Sequence, residues 1–284
     1  MSSTLHIKRL FPVIVKEKVK TYRRELLHTA NLWTPGARKL PDFIIIGSQK
    51  SGTTSLFDYL VQHPRIRGPL TKEIHYFDLN FTKSIDWYQA FFPKECEITG
   101  EATPYYMHYP HSIRRISETL PSVKLFILLR NPVDRAYSAY QHQIWKKRET
   151  LSFPDALKHE AARTDGEFEK LDADEAYYSL NHHHFTYLER GIYHTQIERC
   201  FEYFPREQVM IIESSTFYGD TEGTYAKALN FLGLEAHKLS EYRNVALRKY
   251  EPMSDETRQW LIDYYRPHNE RLYQLLDRRF DWDK

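Results

Sequence analysis

Phe43-Ile44-Ile45-Ile46-Gly47-Ser48-Gln49-Lys50-Ser51-Gly52-Thr53-Thr54 is the stretch that decides the fold of this chain. An uninterrupted apolar run breaks at Gly47 into a short polar loop, and residues 53–62 then follow helical spacing up to His63-Pro64. A strand, a tight loop and a helix in that order turn backbone N–H groups toward a phosphate. The ATP-binding version places Lys-Ser or Lys-Thr after its second glycine, where the hydroxyl holds Mg²⁺. Here Gly47 and Gly52 keep the spacing, Thr53-Thr54 follow, and Lys50 lies inside the loop. Such a loop can cradle a phosphoanhydride, yet it lacks the pair suited to a magnesium nucleoside triphosphate.

Outward from this loop, residues 123–129 form a second buried apolar run, closed by Arg130-Asn131-Pro132. Residues 208–212 read as a third strand, 98–101 as the end of another, and 74–77 as a short one. Helical spacing marks 84–92, 112–120, 133–147, 188–203 and 224–232, and Ser254 caps a long final helix. Residues 148–180 are charged and weakly periodic, a mixed helix and loop region. Buried strands alternating with helices predict an α/β fold: a P-loop-like three-layer sandwich with a central parallel sheet flanked by helices. One domain is expected over 41–284, behind a basic helical segment over 1–40.

The 284 residues suit one large α/β domain, and 41% hydrophobic with 27% charged residues is ordinary globular composition. A net charge of +2 carries no chain-wide nucleic-acid signature, so an anion must be held by a local cluster. Cys96 and Cys200 are far apart and read as two unpaired thiols in a reducing compartment. No run of about 18 apolar residues exists, so no transmembrane helix is expected. Residues 10–15 are too short and too quickly followed by Lys16-Glu17-Lys18 for a secretory signal. Residues 5–30 suit a basic amphipathic helix, packed on the domain or in contact with a membrane surface or partner. These features lead to an expected cytoplasmic localisation.

Arg130 stands at the carboxyl end of a buried strand, where ligands of open α/β sheets sit. Ser138 follows eight residues later, in the next helix. A guanidinium fork and a hydroxyl suit a phosphate monoester, although an arginine in this position is more commonly a structural ion pair. With the first loop, the pair points to one ligand carrying phosphate at two ends.

The chain resembles the sulfotransferases that use 3′-phosphoadenosine 5′-phosphosulfate (PAPS). Gln49 to Thr54 looks like their 5′-phosphosulfate loop, and Arg130-Asn131-Pro132 through Ser138 like their 3′-phosphate site. Closest in pattern is the heparan sulfate N- and 3-O-sulfotransferase branch. The likeness rests on Lys72-Glu73-Ile74-His75-Tyr76-Phe77, on residues 85–93 and 134–143, and on Arg248-Lys249-Tyr250-Glu251-Pro252-Met253. It runs from about residue 40 to 280. Three positions depart from the family: Ala246-Leu247 replaces Lys-Gly, Ala102 replaces a lysine, and no cysteine stands where a disulfide-bonded loop would precede Arg248.

The resemblance implies in-line transfer of a sulfuryl group, with adenosine 3′,5′-bisphosphate as product. Lys50 would neutralise the leaving oxygen, with Ser51, Gly52, Thr53, Thr54 and Ser55 holding the same end. Glu73 is the implied general base, against the alternative of a surface ion pair with Lys72. His142 shares a helix face with Ser138 and would donate to the leaving oxygen or assist the base, against the alternative of a satisfied polar histidine. Arg248, Lys249 and Tyr250 would close over the nucleotide. The run His182-His183-His184 cannot turn three rings onto one ion, so no metal is expected. The acceptor would be a carbohydrate-like hydroxyl or amine, or alternatively a cytosolic small-molecule natural product. A P-loop small-molecule kinase and a non-catalytic nucleotide-binding protein are the rivals from other classes; no nucleic-acid partner is expected.

Overall fold

The computed structural model describes residues 23–34, 38–243 and 250–282. A helix over 23–33 (α1) precedes the first strand, β1 (Phe43–Gly47), every residue of which is buried. Helix α2 (Thr53–Leu60), the two-residue strand β2 (Ile66–Arg67) and the short helix α3 (Ile85–Gln89) follow. Strand β3 (Ile98–Ala102), helix α4 (Ser112–Thr119), strand β4 (Lys124–Leu129) and helix α5 (Pro132–Trp145) come next. Three helices, α6 (Phe153–Thr164), α7 (Glu167–Ala173) and α8 (Leu180–His184), fill the charged region that periodicity left ambiguous. The chain continues through α9 (Tyr193–Tyr203), β5 (Val209–Glu213), α10 (Ser214–Gly219), α11 (Thr221–Phe231) and α12 (Asp255–Leu276).

The five strands form one parallel sheet in the order β2-β3-β1-β4-β5. Because side chains alternate across a strand, β1 and β4 feed two separate cores. Ile44, Ile46, Leu125, Ile127 and Leu129 pack with residues of α4, α9 and α12 on one face. Phe43, Ile45, Phe126 and Leu128 pack with residues of α2 and α11 on the other. Burial on both faces explains the continuous apolar runs and gives the three layers expected from sequence. Each fully buried Ile or Leu contributes roughly 2 kcal/mol of transfer free energy.

Caps fix where the helices begin. Ser254 Oγ accepts from the Thr257 N–H at 3.3 Å, and Asn131 Oδ1 accepts from the Val133 N–H at 3.0 Å. Pro132 occupies the first turn of α5, where a missing N–H costs nothing. The direction of the chain reverses about β1, which lies between β3 and β4. The crevice at the carboxyl ends of β1 and β4 is therefore the topological switch point, where ligands of such sheets are held.

Candidate active site

Four strand ends converge on this crevice. After β1 the chain turns through Lys50 at φ 74 and Gly52 at φ 101. Left-handed backbone at both positions turns successive N–H groups inward, an anion-binding concavity. Gly52 is the N-cap of α2 and supplies no side-chain cap, which leaves the first N–H groups of the helix free for a ligand. A Cβ on Gly52 would lie 2.9 Å from the Tyr218 hydroxyl, so glycine is required by both conformation and space.

The loop is braced from below. Ser48 and Ser51 hydroxyls meet at 2.6 Å, and Ser214 Oγ, just past β5, donates to the Ser51 carbonyl at 2.5 Å. Arg190 Nη1 donates to Gln49 Oε1 at 2.9 Å, while its Nη2 donates to the carbonyls of His182 and His183 at 3.1 and 2.6 Å. Burial pushes the Arg190 guanidinium down to about 10, which leaves it a cation at neutral pH.

The end of β4 supplies the second cluster. Arg130 Nη1 donates to the Lys50 carbonyl at 3.2 Å, and the Arg130 carbonyl accepts from Tyr193 Oη at 2.9 Å. Ser138 and His142 lie one turn apart on α5. Lys50, Gly52, Thr53, Thr54, Arg130, Ser138, His142 and Glu73 line a single cavity of about 1050 Å³. Residues separated by nearly a hundred positions in sequence thus face one volume.

Glu73 enters from the side of β3, where its N–H donates to the Ala102 carbonyl at 3.1 Å. The expected strand at 74–77 is absent because Glu73 and His75 adopt φ of 60 and 56, which breaks extended backbone into a turn. Non-glycine residues in this region cost of order 1 kcal/mol each, so the surroundings must impose it. Tyr106 Oη accepts from the N–H groups of Tyr76 and Phe77 at 2.8 and 3.4 Å and donates to Glu101 at 3.2 Å. Tyr88 and Thr103 also donate to Glu101, at 2.5 and 2.8 Å. Burial pushes the Glu101 carboxyl up to about 7 against the pull of these donors. Fully buried Arg115 donates to the carbonyls of Phe77 and Asp78 at 3.2 and 3.4 Å.

Lys72 Nζ lies 2.8 Å from Glu73 Oε1, and His75 Nε2 lies 3.9 Å from Oε2. Nδ1 of His75 meets buried Asp78 at 2.7 Å. Enclosure alone raises the Glu73 carboxyl, but the Lys72 charge and hydrogen bond, with His75 and His142, outweigh it and hold the group below its ordinary value. His75 moves the other way: burial lowers it, the Asp78 hydrogen bond and charge with Glu73 and Glu101 overcome that, and the imidazole is raised. Glu73 is therefore a carboxylate at neutral pH, with its side chain 48% exposed to the cavity. A base raised by burial, one route by which a carboxylate could serve, is not what this site contains.

Other sequence expectations fall differently. Ser51 and Ser55 are buried beneath the loop rather than in the cavity wall. Tyr250 packs edge-on against Tyr137 at 5.4 Å, outside the cavity lining. Arg248 and Lys249 lie outside the described residues. His183 and His184 line the cavity, while His182 is buried behind it. Burial lowers all three, with Arg190 adding to the effect, taking His182 to about 3 and His184 to about 4. His182, His108 and Glu189 bring ligand atoms within 4.8 Å of one another. The two rings are stacked at 4.3 Å and 7°. In-plane lone pairs of parallel rings do not converge, so this trio does not form a tetrahedral metal site.

Residues 40–271 match the family defined by the sulfotransferase domain. This chain belongs to the sulfotransferase family. It is 28% identical to the membrane-associated sulfotransferase kil1 of Dictyostelium discoideum, over 94% of this chain and 72% of that protein. It is 33% identical to the bifunctional heparan sulfate N-deacetylase/N-sulfotransferase 3 of Homo sapiens, over 84% of this chain and 30% of that protein. The crystal structure of a sulfotransferase from Alicyclobacillus acidocaldarius superposes with a TM-score of 0.72 at 31% identity, covering 87% of this chain and 100% of that one. The protein is thus a sulfotransferase with the P-loop-like fold. The kinase and non-catalytic readings fall with that result.

The expected cytoplasmic localisation is corrected by the same comparisons. A relative aligned over 94% of this chain is membrane-associated, and a heparan sulfate enzyme aligns over 84% of it. The expectation rested on two unpaired thiols and on the absence of a long apolar run and of a secretory signal, and none of these bears on attachment at a membrane surface. Among the described residues no helix is long and apolar enough to cross a membrane, which leaves attachment by other means open.

Proposed function

We propose that the protein transfers the sulfuryl group of PAPS to a hydroxyl or amine of a carbohydrate-like acceptor, without a metal ion. The observation that carries this reading is the single cavity onto which the uncapped start of α2, Lys50, Arg130, Ser138 and Glu73 all open. A donor carrying phosphate at its 5′ and 3′ positions suits a cavity lined by these groups. PAPS supplies an activated sulfur whose bond to the 5′-phosphate oxygen breaks as the acceptor attacks in line.

The chain's own groups divide the work. N–H groups at the start of α2 and the hydroxyls of Thr53 and Thr54 bind the 5′ end. Lys50 offsets negative charge on the oxygen that departs. Arg130 forks onto the 3′-phosphate with Ser138 beside it. Glu73 accepts the proton lost by the acceptor oxygen or nitrogen as the bond to sulfur forms. Its low basicity suits a late proton transfer, when the attacking atom has become acidic. His142, one turn beyond Ser138 and lining the same cavity, donates toward the leaving oxygen or assists the base. Gln143, Lys146, Arg148, His183 and His184 give the remaining wall a polar, partly cationic surface, suited to the hydroxyls and anionic groups of a saccharide.

Incubation with radiolabelled PAPS and oligosaccharides bearing free glucosamine amines or only hydroxyls, with mass spectrometry of the product, tests this reading. Labelled saccharide is expected from at least one. Failure with both, alongside transfer to a non-saccharide alcohol, would overturn the carbohydrate assignment while leaving the chemistry.

A further inference from the structure

Helix α1 is amphipathic in the reverse sense for a helix packed on a soluble domain. Two of its polar side chains face the protein: His28 Nε2 meets the Trp87 carbonyl at 2.9 Å, and Asn31 Nδ2 donates to the Ala90 carbonyl at 2.7 Å. Arg38 Nη2 donates to Asn31 Oδ1 at 2.7 Å and fixes that contact. Leu26 and Trp33 point away from this contact face, with Leu27 and Leu32 on its flanks. Leu26 is 53% exposed, Leu27 41%, Leu32 44% and Trp33 84%. Leu26 and Trp33 are seven residues apart and share one line along the helix. A surface helix ordinarily buries its apolar stripe, so an outward stripe implies a further apolar phase to cover it.

We propose that the outward face of α1 docks on an anionic lipid bilayer, with the helix lying in the headgroup plane. Trp33 carries the amphipathic ring favoured at that depth, and the leucines reach the acyl boundary. Arg23 and Arg24 begin the helix, and Lys8, Arg9, Lys16, Lys18 and Lys20 precede it in sequence. This charge is of the sign that anionic headgroups attract. It also disfavours a second copy as the occupant, because pairing two such faces would bring like charges together. The eleven described residues of the helix run about 16 Å, sufficient to lie on a surface. The docking surface is separate from the catalytic cavity and does not depend on the acceptor assigned above.

Flotation of the full chain with vesicles of equal parts phosphatidylcholine and phosphatidylserine tests the proposal, with phosphatidylcholine alone as comparison. Binding to the anionic vesicles is expected, weakened by added salt. The double variant Leu26→Ser/Trp33→Ser should bind about tenfold more weakly or worse. Its affinity for adenosine 3′,5′-bisphosphate, and hence its fold, should be unchanged. Wild-type protein that ignores anionic vesicles would overturn the proposal, as would equal vesicle binding by the double variant. A wild-type dimer that the double variant abolishes, without vesicle binding, would assign the face to a second copy instead.

Discussion

Arg130 Nη1 donates to the carbonyl oxygen of Lys50 at 3.2 Å, so the two proposed anion sites are joined by the protein itself. The guanidinium proposed to hold the 3′-phosphate also fixes the loop proposed to hold the 5′ end. Its remaining donors stay available to a ligand, since a guanidinium carries five N–H groups in a planar fork.

Replacement of Arg130 should therefore cost the phosphate contact and, to a smaller extent, the brace on the loop. Arg130→Ala is predicted to weaken adenosine 3′,5′-bisphosphate binding by about 100-fold, the upper range for a charge-assisted hydrogen bond. Arg130→Lys should recover little, because a point charge cannot span both the Lys50 carbonyl and a phosphate. Isothermal calorimetry provides the comparison; an effect of only a few-fold would place Arg130 outside the binding site.

Glu73→Gln should lower kcat by roughly 10²–10⁴ while bisphosphate affinity survives, as expected for loss of a general base. The sign of the pH dependence follows from the lowered carboxyl. Glu73 remains ionised down to below its ordinary 4.5, so the acid limb of kcat/KM should lie below that value. Lys72→Met removes a charge that holds the carboxyl down and should move the limb upward. A limb that stays in place would detach Glu73 from the rate-limiting proton transfer.

Gly52→Ala combines a strained left-handed φ of 101 with a Cβ 2.9 Å from the Tyr218 hydroxyl. The substitution should destabilise the loop by about 1–2 kcal/mol and weaken donor binding correspondingly. Tyr218→Phe in the same background relieves the contact but not the φ, so only partial recovery is expected in a bisphosphate titration.

Away from the cavity, buried Glu149 is held by Arg163, whose Nη1 and Nη2 lie 2.6 and 3.1 Å from its oxygens. Burial raises this carboxyl, but Arg163, the Leu151 and Thr150 N–H groups and Tyr187 overcome that and pull it down to about 2. A depressed carboxyl stabilises the fold fully above its unfolded value of 4.5, and that stability is lost as pH falls through about 2. Arg163→Ala leaves the charge buried and unpaired and should cost about 3 kcal/mol in urea denaturation at neutral pH. Glu149→Gln/Arg163→Ala should recover part of it.

The strands and the first phosphate loop were legible because both faces of β1 and β4 are buried, which writes continuous apolar runs into the sequence. Lys50 and Arg130 were legible as residues following such runs. The Gln49–Arg190 bond was not, since 141 positions separate the partners and no local pattern links them. The turn at Glu73 was hidden as well. Residues 74–77 carry strand-like apolar character, while positive φ at Glu73 and His75 turns the segment, with Ala102, Tyr106 and Arg115, all distant in sequence, holding its backbone. The His75–Asp78 pair at 2.7 Å was within reach, because a histidine three residues before an aspartate is a recognisable orienting pair. Strand β2 has two residues and α10 six, too few for any periodicity to register.

Calorimetric titration of wild type and Arg130→Ala with adenosine 3′,5′-bisphosphate and adenosine 5′-monophosphate reads the two-ended grip on the donor. Wild type should prefer the bisphosphate by about 100-fold, and Arg130→Ala should reduce that preference to nearly none while keeping its affinity for the monophosphate within several-fold. Equal binding of both nucleotides by wild type, or an undiminished preference in Arg130→Ala, would contradict it.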